Sequence, residues 1–81
     1  MKKLVVTVSI RDARKAAESI NDDRELASQF EENGSTEWES VKRFDEWDDE
    51  DTEELEQLMD NIQGQLQMAG VEEFEVYTEE V

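Results

Sequence analysis

The sequence predicts an α+β fold, formed by residues 1–81 as a single acidic domain with two helices packed on one face of a three-stranded sheet. Two observations carry this prediction. The first and last apolar segments alternate apolar with polar side chains, which is typical of half-buried strands. A segment before the last strand repeats its apolar residues every three or four positions, which is typical of an amphipathic helix. A second helical segment follows the first strand, and a further strand lies between the two helical segments in the sequence. The predicted order is therefore β-α-β-α-β.

The first strand and the first helical segment follow each other directly. One face of the strand is wholly apolar and consists of Leu4, Val6, Val8 and Ile10. Asp12 can then cap a helical segment over residues 12–32. Asp22, with Glu25 three residues later, forms a capping box inside this segment, which therefore holds either one kinked helix or two short ones. The helical apolar residues are Ala13, Ala16, Ala17, Ile20, Leu26, Ala27 and Phe30, and Asn33-Gly34 ends the segment.

Residues 35–47 fit two patterns. Trp38, Ser40, Lys42 and Phe44 would share one face of a strand, whereas Trp38, Val41, Phe44 and Trp47 recur every third residue, as in a helical turn. The aromatic content and the preceding Gly34-Ser35 turn favour the strand.

The second helix and the last strand have the clearest periodicity. Asp51 and Glu54 form a capping box, and Gly70 ends the helix. The apolar stripe of this helix consists of Leu55, Leu58, Met59, Ile62, Leu66 and Ala69. In the last strand, Phe74, Val76 and Thr78 alternate with Glu73, Glu75 and Tyr77.

The arrangement of the strands follows from their apolar faces. The first and last strands have the better apolar faces, so we expect them to be neighbours. A strand, a helix and a return strand can pair in a right-handed crossover. The face of the sheet away from the helices should show Val5, Thr7, Glu73, Glu75 and Tyr77.

The charge is distributed unevenly along the chain. The formal net charge is −16, and all 8 basic residues lie in residues 1–43. Residues 44–81 contain no lysine, arginine or histidine, and they hold 15 of the 24 acidic residues. Such a field repels nucleic acid and anionic membranes and attracts basic surfaces.

The sequence offers no catalytic or cofactor-binding motif. It has no histidine and no cysteine, and the glycines at 34, 64 and 70 do not form a phosphate-binding loop. Residues 45–54 are rich in carboxylates, but Trp47 occupies the third position of an EF-hand loop starting at Asp45, and the sixth position is not glycine. We therefore expect a protein that is not an enzyme and that binds no cofactor or specific metal.

The densest acidic run is the candidate partner-binding surface. Glu53, Glu56 and Asp60 should lie on the helix face opposite Leu55, Leu58 and Ile62, at spacings of the same order as successive phosphates. No lysine follows at i+4 in residues 45–81 to neutralise these charges. Trp47 could be an apolar anchor for a partner, although for Trp38 and Trp47 a core or lid position is the stronger expectation. The candidate residues are Asp45, Glu46, Trp47, Asp48, Asp49, Glu50, Asp51, Glu53, Glu54, Glu56 and Asp60.

In size, charge and α+β pattern the chain resembles phage-encoded DNA-mimic inhibitors, the anti-restriction and anti-CRISPR proteins. The resemblance is one of class, and it transfers no functional residues. It implies a basic nucleic-acid-binding protein or complex as partner, with no direct contact to nucleic acid or membrane, in the cytoplasm of a host cell.

Two alternatives remain. One is an acidic interaction or assembly module that binds a basic partner without mimicking DNA, and the other is a solubility-adapted domain of a halophile. Halophilic adaptation should also acidify residues 1–43, which are nearly balanced in charge. Lys2 and Lys3 precede an apolar run that is too short for a signal peptide, so we expect a cytoplasmic protein.

Overall fold

Strand β1, Lys2–Val8, lies in the middle of the sheet in the computed structural model, which describes residues 1–81. The other strands are β2 (Phe30–Glu32), β3 (Glu37–Ser40) and β4 (Phe74–Glu80). The sheet order is β2-β3-β1-β4, and every neighbouring pair is antiparallel. The α+β class and the adjacency of the first and last strands are confirmed.

The predicted three-stranded sheet and its crossover are wrong. The sheet has four strands, and no neighbouring pair is parallel. Strand β2 was missed because Phe30 also fits the helical apolar stripe and the strand has only 3 residues. Gly34, with a φ of 111°, lies in the turn between β2 and β3 and does not end a helix. Positive φ favours glycine at this turn.

Residues 35–47 contain both less strand and more turn than predicted. Only Glu37–Ser40 forms a strand, with Trp38 and Ser40 buried. Phe44 adds an isolated antiparallel bridge to Lys2, with two backbone hydrogen bonds of 2.8 and 2.7 Å. Ile10, predicted on the apolar face of the first strand, lies in a 3₁₀ turn at Ile10–Asp12 and is exposed.

The helices are α1 (Ala13–Asp22), α2 (Arg24–Gln29) and α3 (Asp49–Met68). Of the two predicted alternatives for this segment, two short helices and not one kinked helix are present. Their caps lie elsewhere than predicted: Asp23, not Asp22, caps α2, and Asp48, not Asp51, caps α3. Both caps have extended backbones, and each side chain accepts hydrogen bonds from two N–H groups of the first helical turn.

Asp12 has a different role from the predicted helix cap. Its side chain makes no capping bond. Instead its Oδ2 accepts hydrogen bonds from the backbone N–H groups of Glu72 and Glu73, at 3.2 and 3.4 Å. Burial alone would raise the pKa of Asp12, but these N–H groups, with Lys15 and Arg11 nearby, hold it below its ordinary value. Asp12 thus ties the start of α1 to the segment that enters β4.

The core lies between the sheet and the helices. Helix α3 buries Leu58, Ile62 and Leu66 there, whereas Leu55 and Met59 are half-buried. The sheet side of the core includes Leu4, Val6, Val8, Phe30 and Trp38. This packing leaves the other side of α3 turned away from the sheet, and it fixes the helix as a platform for the acidic residues.

Candidate protein-binding surface

Four carboxylates form a row on α3, and we call Asp49, Glu53, Glu56 and Asp60 the acidic stripe. At 3.6 residues per turn, their positions fall within about 60° around the helix axis, opposite Ile62. The rise of 1.5 Å per residue spreads them over about 16 Å. All four residues are exposed, and none of their carboxylates has an ion-pair or hydrogen-bond partner within the chain. The predicted placement of Glu53, Glu56 and Asp60 is therefore confirmed.

The stripe ends abruptly along the helix. No charged residue occurs between Asp60 and Glu72, and the polar residues in that part of α3 are asparagine and glutamine. The absence of charge there confines the acidic residues of α3 to its first twelve positions.

Of the remaining candidate carboxylates, one has no partner, whereas the others form hydrogen bonds in the loop or ion pairs with lysines. Glu50 is exposed and free of ion pairs, like the stripe. Asp45 and Asp48 shape the loop, because Asp45 Oδ1 accepts from the Trp47 N–H at 3.0 Å and Asp48 caps α3. Glu46 pairs with Lys2 at 3.2 Å.

Asp51 and Glu54 form an ion-pair cluster with Lys42. Lys42 Nζ lies 3.1 Å from Asp51 Oδ1 and also contacts Glu54 Oε2. The hydrogen bonds that Lys42 donates to Glu54 and Asp51 raise the pKa of Lys42. The Asp45 N–H donates to Asp51 Oδ2 at 2.8 Å, and this bond together with Lys42 lowers the pKa of Asp51.

The lack of basic residues in residues 44–81 predicted that the carboxylates there have no basic partner. For some of these carboxylates that prediction is wrong. Lys2 and Lys42 neutralise charges there although they lie outside residues 44–81. The i+4 spacing along the helix does not indicate these ion pairs, because Lys2 lies on β1 and Lys42 follows β3. Sequence reasoning missed both lysines for this reason.

The two tryptophans have opposite environments. Trp38 is 2% exposed and belongs to the core, as expected. Trp47 is 88% exposed, so its expected core or lid position is wrong. The loop that carries Trp47 is held by the Lys2–Phe44 bridge on one side and by the Asp48 cap of α3 on the other.

The face of the sheet away from the helices, which we call the open sheet face, is a second acidic region. The register places Val5, Thr7, Glu75 and Tyr77 on it, and it adds Glu39 opposite Val5. The prediction that Val5 is accessible on this face is wrong, because Val5 is 1% exposed. The full set by register is Lys3, Val5, Thr7, Glu31, Glu37, Glu39, Glu75, Tyr77 and Glu79. The predicted Glu73 precedes β4 and lies outside this strand register.

Glu39 is a half-buried carboxylate of the open sheet face. Lys3 Nζ lies 2.7 Å from Glu39 Oε2, and Arg43 Nη2 lies 3.7 Å from Glu39 Oε1. The hydrogen bond from Lys3 lowers the pKa of Glu39 and the same bond raises the pKa of Lys3. Lys3, Glu39 and Arg43 therefore form a neutralised cross-strand network.

The structure also bears on metal binding and on the membrane. No group of three or more acidic side chains is arranged to hold a metal ion. None of the three helices has the length and apolar character needed to cross a membrane.

The fold defines a class, an α+β domain with helices on one face of a four-stranded antiparallel sheet. No protein-family model, curated protein or solved structure matches the chain significantly. The surface of this molecule is therefore the only available indication of its function.

Proposed function

We propose that this protein is an acidic nucleic-acid mimic that inhibits a basic nucleic-acid-binding protein or complex by occupying its nucleic-acid site. The single observation that carries the proposal is the acidic stripe. Its four carboxylates are exposed, have no partner within the chain, and are held by one helix whose other side is buried.

The spacing of the stripe suits a surface that reads phosphates. Successive stripe residues are separated by about 4.5–6 Å along the helix axis. Each strand of duplex DNA carries one phosphate per ~3.4 Å of axis, so the two charge densities are of the same order. Arginine can bind a carboxylate in the same two-pronged geometry that it uses for phosphate.

The neighbouring charges strengthen the field without adding flexibility. Glu50 adds a free carboxylate, and the capped first turn of α3 fixes the beginning of the stripe. The net charge of −16 attracts a basic partner over a distance and disfavours binding to nucleic acid itself or to an anionic membrane. A role of this kind requires no catalysis and no cofactor, and it fits a phage protein that acts against a defence system in the host cytoplasm.

A salt-dependent capture experiment identifies the partner. The protein is immobilised, host lysate is applied at low salt, and bound proteins are eluted at high salt and identified by mass spectrometry. We expect a nucleic-acid-binding protein whose labelled DNA or RNA substrate competes with the inhibitor. Simultaneous binding of partner and substrate would contradict mimicry and would favour a docking module. The absence of any salt-sensitive partner would favour a surface that only maintains solubility.

The acidic stripe can be tested by charge reversal. The triple variant Glu53→Lys, Glu56→Lys and Asp60→Lys should weaken binding by about 100-fold or more, because like charges placed opposite each other cost several kcal/mol. These positions avoid the first turn of α3, where lysine would oppose the helix dipole.

A matched control reverses exposed acidic residues in the balanced half of the chain. Asp22, Glu31 and Glu32 are exposed and make no ion pair, whereas Asp23 and Glu25 are unsuitable because Asp23 caps α2 and Glu25 lies in its first turn. Reversal of these three charges should weaken binding far less. Equal losses in the two triple variants would show that only total charge matters, and the proposal for the stripe would then fail.

A further inference from the structure

The side chain of Trp47 is exposed to solvent and is not packed against the core. Its exposure of 88% contrasts with 2% for Trp38, 2% for Phe44 and 5% for Phe30. A tryptophan is one of the largest apolar side chains, and leaving it in water forgoes the burial that stabilises the other aromatic residues. The side chain therefore contributes little to the fold.

No cation of the chain stacks on this indole. The protein has one cation–π contact, in which Lys42 Nζ lies 5.4 Å from the centre of the Phe44 ring. Lys2, the basic residue that reaches this loop, is paired with Glu46. The indole is thus free to accept a cation from another molecule.

The loop fixes the backbone that carries Trp47 before any partner arrives. The Trp47 N–H donates to Asp45 Oδ1, and the Asp45 N–H donates to Asp51 Oδ2 on α3. Two residues after Trp47, the exposed carboxylates of Asp49 and Glu50 begin, neither of them in an ion pair. A flat ring and free carboxylates are therefore two to three residues apart on one segment whose backbone is fixed.

We propose that Trp47 is a stacking platform for an arginine guanidinium of the partner, whose edge is bound by the carboxylates at the start of α3. Tryptophan is the strongest of the aromatic residues in cation–π contacts. A guanidinium is planar and weakly hydrated and can stack and bind a carboxylate at the same time, whereas a lysine ammonium is a compact, strongly hydrated charge. This inference rests on the proposed function only for the identity of the partner, and it assigns arginine, not lysine, to the contact.

Two peptide probes of equal charge separate the alternatives without knowledge of the partner. Fluorescently labelled hexa-arginine and hexa-lysine are titrated with the wild-type protein at low salt, and the ratio of their dissociation constants is measured by anisotropy. Trp47→Leu should reduce the preference for hexa-arginine by about two- to five-fold, the size of an exposed cation–π contact. Trp47→Tyr should retain part of the preference.

Two controls keep the experiment decisive. Charge reversal at Glu53, Glu56 and Asp60 should weaken both peptides and leave the arginine preference in place. An unchanged ratio in Trp47→Leu, or an equal loss for both peptides, would overturn the inference and make the indole a general apolar contact. If Trp47→Leu lowers the arginine preference while the captured partner binds this protein and its nucleic-acid substrate at the same time, mimicry is refuted and the stacking contact remains.

Discussion

The open sheet face and the acidic stripe are both rich in carboxylates, but only the sheet face contains a carboxylate that basic residues of the chain neutralise. On the sheet, Glu39 is 15% exposed at its side chain and lies between Lys3 and Arg43. On α3, the stripe carboxylates are exposed and have no basic partner. The half-buried Glu39 is thus paired within the fold, whereas the stripe carboxylates have no partner within the chain and are free to bind another molecule.

The positions of the basic residues explain this difference. Strand β1 carries two lysines and lies beside β3, so that Lys3 reaches Glu39 across the strands. Lys42, after β3, reaches only the flank of α3 at Asp51 and Glu54. No basic residue of the chain pairs with a carboxylate on the outer side of α3.

The largest effect on stability should come from weakening the packing of α3, the helix that carries the acidic stripe. Ile62 is fully buried in the core, and Ile62→Ala should lower the free energy of unfolding by about 2–5 kcal/mol. Met68, on the same helix, is 87% exposed, and Met68→Ala should change it by less than about 0.5 kcal/mol. Thermal melts followed by circular dichroism measure both. Equal melting of Ile62→Ala and wild type would show that the helix is not held by this face.

A smaller effect should follow from neutralising the paired carboxylate of the sheet. Glu39→Gln removes the charge that Lys3 and Arg43 stabilise, so we expect a lower unfolding temperature at pH 7. The folded-state pKa of Glu39 is lowered, so its contribution is present above the unfolded pKa, about 4.3, and is lost as the pH falls through the folded value.

Urea unfolding between pH 7 and pH 3 tests the sign of this prediction. Wild type and Glu39→Gln should differ at pH 7 and converge as the pH falls. Asp12 and Asp51, whose pKa values are also lowered, should make both proteins less stable in acid. A difference that stays constant over the whole range would mean that the charge of Glu39 does not stabilise the fold.

The smallest effect, with the opposite sign, should come from neutralising the stripe. The triple variant Glu53→Gln, Glu56→Gln and Asp60→Asn relieves repulsion between like charges, and at low salt its melting temperature should rise by about 2–4 °C. The wild-type melting temperature should itself rise up to about 0.5 M sodium chloride, where screening removes most of the difference. A variant that melts below wild type at low salt would reveal that the stripe stabilises the fold.

The parts of the fold that were predicted correctly are those with a strong local pattern. The alternation in β1 and β4 and the apolar stripe of α3 extend over two or more turns or pleats, so each was visible in a short window of sequence. The hydrophobic residues Leu58, Ile62 and Leu66 were identified as core for the same reason.

The parts that were missed have weak or ambiguous local signals. Strand β2 is 3 residues long, and its pairing partner β3 supplies the hydrogen bonds that define it. The helix caps were misplaced by one and three residues, because each acidic run contains several aspartates that could act as caps. Only the backbone conformation distinguishes Asp23 and Asp48 from their neighbours.

The sequence by itself determined the uneven charge, the α+β class and the faces of the longest elements, because composition and periodicity are local properties. Only the tertiary structure decided which carboxylates are neutralised. Lys3 and Glu39 are 36 residues apart and Asp12 and Glu72 are 60 apart, so the fold must form before either pair can meet. The exposure of Trp47 was decided in the same way, because the core already contains Trp38 and the bridge between Lys2 and Phe44 leaves the Trp47 loop outside it.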